Sequence, residues 1–573
     1  MLPPLTPEFR RLTLPERLIL LASVLLVWFL AWGHPLLPPD EGRYGSVSAR
    51  MVDTGNWLVP EFGGRAHLTK PPLTYWLQAI GIQALGRTEM AVRWPSLLAT
   101  SIALLALFAF ARRTLGTRPA IVATAIAALT PYVVVVGRLG NTDALMACFW
   151  IVALAAGHRL MSEADAPRLD RVRTAIILWS AVGLGFLTKR EVTLGPLLIL
   201  GAWAILARRP RELLRLHPFV GLPMALAPFA IWTALILLRH PDAGQIWWDE
   251  TIGRVTGEKD LRSEPWWFYI PIYLMGMYPA TAMLVLPWLN ISWREALRSF
   301  VQGDLRALLL IAIVFPFLGF SISTGKLATY LLPLAPPTAM LVAISLERWL
   351  RGDHDTPTAS IRPPDVRRTL AICSLLIFLG QFGAALAIRH EVPELWALVL
   401  PLAIAPTGCI ACWALWRQGL AARARGLAIA WFCLAVTWTL MLGIQTRFTP
   451  PMGASYLTAF LERHFDLRSP DIIAIGFVDP TIEFYNRKPT RYVSGLKAID
   501  AMDDLRYPAI LLLDAKIAED ELERSIKLAR QDPESVANRL EPLGATWTRW
   551  FNRPVKVIAI RERPMEPPPP PRE

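Results

Sequence analysis

Charge is scarce in this chain. Of its 573 residues only 18% are Asp, Glu, Lys or Arg, against 54% hydrophobic. The mean hydropathy is +0.38, which excludes an ordinary soluble globular class. Cysteine is scarce too. Cys148, Cys373, Cys409, Cys412 and Cys433 all lie in apolar runs, so no disulfide framework is implied. Cys409 and Cys412 form a CxxC inside "LAIAPTGCIACWALW", a span by composition, and are read as small core residues rather than a redox or metal pair. The ten-residue alternation of an outer-membrane β-barrel is missing. So are internal repeats, which weighs against a transporter built from repeated halves.

What the chain has instead is a succession of long apolar runs. They assign it to the polytopic α-helical membrane class, with about thirteen spans of ~20 residues. The spans start near Arg17, Met90, Ala120, Asp143, Thr174, Val192, Pro218, Trp266, Arg306, Leu327, Thr369, Leu395 and Gly426. The first run lacks a small-residue cleavage site and reads as a retained anchor. "PPLTYWLQAIGIQALG", residues 71–86, is too short to cross and reads as an interfacial helix. Short loops on the side of the N-terminus carry roughly 25 Lys and Arg, against about five opposite, which places the N-terminus in the cytoplasm. The net charge of +13 is therefore topology signal, and no nucleic-acid partner is expected. Residues 1–446 form the membrane domain, with outer loops at 38–89 and 240–265. Residues 447–563 read as a small periplasmic α/β domain. Its strands are expected at "DIIAIGF", "RYVSG", "AILLLDA", "TWTRWF" and "VKVIAIRE", with a helix at "AEDELERSIKLARQ". Residues 564–573 are a disordered Pro-rich tail.

The scarce charge concentrates at the outer membrane edge. "PPDEGRYGSVSARM" sets Asp40, Glu41 and Arg43 where the chain leaves its first span. Lys70 precedes Pro71 and Pro72, which suit a first helical turn, so its ammonium stands where a phosphate can be held. A lysine snorkelling to the interface explains Lys70 as well. Asp143 opens a span in "GRLGNTDALMACFW", either as a first-turn acid or as a functional carboxylate. Arg262 precedes the interfacial aromatics Trp266, Trp267 and Tyr269. Lys326 and Tyr330 sit on the tight turn of "SISTGKLATYLLPLAPP". Cations of this kind can hold the phosphate of a lipid-linked substrate and stabilise it as a leaving group. A carboxylate can take the proton of an acceptor hydroxyl.

With these blocks in view, "PPDEGRYGSVSARMVDTGNWLVPEFGGRAHLTKPPLTYWL" resembles the first periplasmic loop of bacterial polyprenyl-phosphate-dependent glycosyltransferases. These are related to protein O-mannosyltransferases and to the lipid A aminoarabinose transferases. "GLGFLTK", "RSEPWWFYIPI" and "SISTGKLATYLLPLAPP" resemble further blocks in the same order. The resemblance covers residues 15–345 well. It implies a C-type glycosyltransferase fold of about thirteen helices followed by a periplasmic α/β domain. It also implies Asp40 and Asp143 as catalytic acids, and Lys70, Arg262 and Lys326 at the donor phosphate. Glu41, Arg43, Tyr44 and Tyr330 would bind substrate. The family's metal-binding Glu before the KPP lysine is Thr69 here, and its His before "EPWW" is missing, so the family's zinc ligands are absent at these positions, while a divalent metal of another kind stays open. His67 reads as a solvated loop residue. The glycine usual after Lys189 is Arg190.

The resemblance implies an inverting transferase of lipid A modification type. It takes sugar from a polyprenyl-phosphate donor to a lipid A or core, glycan or protein acceptor. Two competing readings are a flippase of a lipid-linked sugar, which should carry charges near the bilayer midplane, and a non-enzymatic scaffold.

Overall fold

A computed structural model of the chain describes residues 11–253 apart from 30, 32–34 and 38, and residues 264–281 apart from 279. It also describes 299–351, 470–493 apart from 476 and 477, 509–514, 540–548 and 553–560, with isolated helical positions at 433, 436, 458 and 462. The expected spans from Thr369, Leu395 and Gly426, the helix expected near 517–530 and the tail lie outside these residues, as does Arg262. The chain forms two compact units. The first is Met1–Gly33, Thr69–Thr74 and Arg93–Phe448. The second is His34–Leu68, Tyr75–Val92 and Thr449–Glu573.

The first unit contains helices α1 (Leu14–Trp28), then, beyond α2 (Asp40–Thr54) and α3 (Leu73–Leu85), α4 (Glu89–Leu115), α5 (Thr117–Leu129), α6 (Pro131–Val135) and α7 (Thr142–Ser162). It continues with α8 (Arg168–Lys189), α9 (Gly195–Leu206), α10 (Pro218–Arg239), α11 (Ala243–Trp248), α12 (Tyr269–Gly276), α13 (Leu305–Ile322) and α14 (Ala335–Arg351). Six described helical runs are long and apolar enough to cross a bilayer, and seven if the pair Thr117–Leu129 and Pro131–Arg138, bent by 61°, counts as one span. Glycines let the helix backbones approach: a Cβ at Gly183 of α8 would lie 2.8 Å from the Ala225 carbonyl of α10. Two buried arginines close the C-terminal side of α1. Arg93 Nη1 donates to Ala31 O at 3.2 Å and Arg138 Nη1 to Phe29 O at 3.0 Å, using carbonyls that the end of a helix leaves without intrahelical donors.

The second unit joins the first loop to the far end of the chain. A five-stranded sheet runs β4 (Thr490–Val493), β3 (Asp471–Ile475), β5 (Ala509–Asp514), β7 (Arg553–Ile560), β6 (Leu540–Thr548). β4, β3 and β5 are parallel, and β7 pairs antiparallel with both β5 and β6. The strands fall where the apolar runs of the sequence place them, although β6 begins earlier than "TWTRWF". Helix α15 (Thr481–Asn486) packs on α2, and Ser46 Oγ donates to Pro480 O at 2.7 Å. Leu36, Ala49, Ile82, Ala91, Val92 and Phe484 share one core cluster. A two-stranded hairpin, β1 (Glu61–Phe62) with β2 (Arg65–Ala66), turns through Gly63 and Gly64, both at positive φ.

Glu483 ties that hairpin to α15. Its Oε1 accepts from Gly63 N at 2.9 Å and from Thr490 N at 3.2 Å. Burial pushes its carboxyl up to about 7 from 4.5, against the pull of those donors and of Arg50 and Arg87. The folded unit therefore holds the proton more tightly than the unfolded chain. Stability from this group is present below about pH 4.5 and is lost as pH rises through about 7, by roughly 3 kcal/mol. Glu483→Gln, which keeps an acceptor oxygen, is expected to flatten the melting temperature between pH 5 and 8. An unchanged slope would remove Glu483 as its source.

Candidate active site

In the first unit one series of contacts joins Asp143, Lys189 and Tyr330. α7 starts at Thr142, with the Asn141 side chain accepting from Asp143 N at 2.9 Å. This cap fixes Asp143 in the first turn, where a negative charge suits the helix dipole. The Asp143 carboxylate then pairs with the ammonium of Lys189. The side chains are 9% and 12% exposed, so neither charge is bulk-solvated and each depends on the other. Lys189 Nζ also lies 4.2 Å from the ring centre of Tyr330, a cation–π contact.

Tyr330 belongs to a turn held from several sides. Tyr269 Oη donates to Leu327 O at 3.1 Å and accepts from Leu327 N at 3.2 Å. Tyr132 Oη donates to Ala328 O. Lys326 Nζ, buried, donates to Glu264 O at 2.8 Å and to Ser323 O. Among the described residues no carboxylate pairs with Lys326. It therefore braces Glu264, two residues after Arg262 in sequence, as well as carrying charge.

α8 ends at Lys189, and Arg190 begins a 3-10 turn to Leu194. Arg190 stands at φ 52° and ψ −130°, a conformation that L side chains rarely adopt, and its side chain is buried. Its Nη1 lies 3.5 Å from Trp247 O, and its Nε lies 3.5 Å from Glu191. Three residues beyond Trp247, Glu250 Oε2 meets Lys70 Nζ at 3.0 Å.

In the second unit Asp40 is the first residue of α2. Its carboxylate, 34% exposed, lies 3.9 Å from Arg43 Nη1. Glu41 and Tyr44 are buried in this unit. Glu41 accepts from Leu37 N at 2.9 Å. The Tyr44 ring stacks on Tyr75 with centroids 5.3 Å apart. His67 lies edge-on to Phe62 at 6.0 Å. Among the described residues no three His, Cys, Asp or Glu side chains converge as a metal-binding set, and Thr69 adds no carboxylate, so these residues do not fit a zinc site. No step below runs through a metal.

Sequence reasoning did not single out Lys189, Glu250, Tyr132 or Tyr269 as site residues. Lys189 ends the block "GLGFLTK", but its partner is 46 residues away. The Lys70–Glu250 pair is separated by 180 residues. Neither pairing has a local signature.

This geometry meets the comparisons with known proteins. Residues 69–233 match the model of the dolichyl-phosphate-mannose-protein mannosyltransferase family. That stretch holds Lys70, Asp143, Lys189 and Arg190. The chain is also 33% identical over 362 residues to the undecaprenyl phosphate-alpha-4-amino-4-deoxy-L-arabinose arabinosyl transferase of Edwardsiella ictaluri, covering 62% of each protein. It is 34% identical over 318 residues to the same transferase of Aeromonas salmonicida, covering 54% of this chain and 56% of that one. The alignments thus span less than two thirds of these relatives' length. The fold likeness is broader. ArnT from Cupriavidus metallidurans, bound to undecaprenyl phosphate, superposes with a TM-score of 0.78 at 19% identity, over 97% of this chain and all of that one. The chain has the polytopic C-type glycosyltransferase fold of ArnT.

Proposed function

We propose that this protein is an integral membrane glycosyltransferase that moves a sugar from a polyprenyl-phosphate donor to an acceptor hydroxyl, with inversion at the anomeric carbon. The observation that carries the reading is the set of buried or half-buried ammonium groups, Lys70, Lys189 and Lys326, on the framework of a family of lipid-phosphate-dependent transferases. In the reaction the acceptor oxygen attacks C1 of the sugar as the bond from C1 to the phosphate oxygen breaks. Its proton passes to a carboxylate, and the polyprenyl phosphate leaves with the electron pair. Lys70, Lys326 and Arg262 hold the phosphate and meet the charge that grows on it. By the family resemblance alone Asp40 is the carboxylate that takes the proton; its side chain is half-exposed and lies 3.9 Å from Arg43 Nη1. Asp143 acts through Lys189, whose ammonium it holds against Tyr330. In this reading the N-terminus is cytoplasmic, and 447–563 lie in the periplasm of a bacterium with the acceptor, a lipid A or core, glycan or protein.

The test is transfer from a panel of radiolabelled polyprenyl-phosphate sugars by the protein purified in detergent, with and without membrane extract. Asp40→Asn is expected to lower turnover by about 10²-fold or more at normal expression. Full activity would remove Asp40 from the chemistry. Movement of labelled lipid across proteoliposomes without any acceptor would favour the flippase reading.

A further inference from the structure

Two cations from separate parts of the first unit hold one short segment. Arg190 reaches the Trp247 carbonyl and Lys70 pairs with Glu250. Trp247 lies in the last turn of α11, and Glu250 lies in the π-helical turn Asp249–Gly253 that follows. A π turn departs from regular helical bonding and recurs at functional sites. Lys70 stands on stiffer chain, immediately before Pro71 and Pro72. Of the two partners, the carboxylate stands on the irregular turn.

The electrostatics point the same way. The Lys70 and Glu250 side chains are only 18% and 19% exposed. An ammonium so placed needs an anion at all times, because leaving it unpaired costs more than the pair contributes. The polyprenyl-phosphate sugar is a phosphodiester with one negative charge, like a carboxylate, so the two compete for the ammonium on similar terms, whereas the polyprenyl phosphate left after transfer is a monoester with more charge and three acceptor oxygens. A site that binds and releases a lipid phosphate on every turnover thus needs a resident anion weak enough to leave and near enough to return.

We propose that Glu250 is an exchangeable counter-ion of Lys70, displaced by the donor phosphate and restored when the polyprenyl phosphate departs. This rests on the glycosyl-transfer reading above. No bond is made or broken; one anion replaces another on the same ammonium. Glu250 is accordingly a positioning residue that sets donor affinity and eases product release.

The experiment measures polyprenyl phosphate binding and donor kinetics on the full-length protein in detergent. Glu250→Gln removes the competing charge and keeps the side chain's size. It is expected to tighten the Kd for polyprenyl phosphate about three- to tenfold, the range of a part-buried ion pair. Donor KM and kcat should fall together as product release slows. Glu250→Asp keeps the charge and should hold the Kd near wild type. Glu250→Ala is the second variant if the amide disturbs the turn, with the same expectation as Glu250→Gln. Lys70→Met should lose binding. Unchanged or weaker binding by Glu250→Gln and Glu250→Ala, with binding still lost in Lys70→Met, overturns the exchange and leaves the transferase reading standing. Full binding by Lys70→Met overturns the placement of the donor phosphate on Lys70.

Discussion

Asp143→Asn and Lys189→Met are each expected to destabilise the purified protein by about 3–5 kcal/mol, while the double variant regains much of that loss. The reason is the near-complete burial of both partners. Either single change leaves a charge in a low-dielectric site with no counter-ion. Changing both removes the charges together, at the smaller cost of imperfect packing. Activity should separate from stability. If Lys189 contributes its charge at the donor, the double variant melts near wild type yet transfers no sugar. Melting curves and turnover on the same preparations decide the matter. A double variant as unstable as the sum of the singles would mean the two residues are not energetically coupled.

Gly42→Ala is expected to disrupt the second unit. A Cβ at this position would lie 2.5 Å from Thr481 Cγ2, 2.8 Å from Thr481 N and 3.1 Å from Thr481 Cα. The methyl could rotate away, but the backbone could not. Thr481 N is moreover fixed by its bond to Asp479 Oδ1 at 2.9 Å. α2 and α15 would have to separate, at a cost of about 1–3 kcal/mol. Thr481→Ser should rescue little, because it removes only the methyl contact. Limited proteolysis of the 449–573 region reads the effect. Wild-type resistance in Gly42→Ala would show that the helices tolerate the extra carbon.

Much of this architecture is written locally in the sequence. Apolar runs about the length of a bilayer crossing mark the helices of the first unit, and five short β-rich stretches mark the sheet. Lys70, Asp143, Lys326 and Tyr330 stand out in the sequence because each sits in a short block with unusual neighbours. What local pattern could not supply was partnership. Asp143 reads as a first-turn acid until Lys189 arrives from the end of α8. Glu41 and Tyr44 look as accessible in "PPDEGRY" as Asp40 does. Only the packing of α2 shows that Glu41 accepts from the chain just before the helix and that Tyr44 stacks inside. Gly42 leaves room for the backbone of α15, which nothing in its local sequence announces.

The way the second unit is assembled constrains the order of events in the cell. Leu36 N bonds to the hydroxyl of Tyr485, 449 residues later, and Ser46 to the Pro480 carbonyl, 434 later. A ribosome adding roughly 5–20 residues per second leaves the early partners waiting for tens of seconds before the late ones exist. During that interval Leu36, Ala49 and Val92 lack the Phe484 ring they pack against in the finished unit. Nascent chains of this protein thus pass through a stage in which this apolar surface of the second unit stays uncovered, and that surface is what a chaperone would meet.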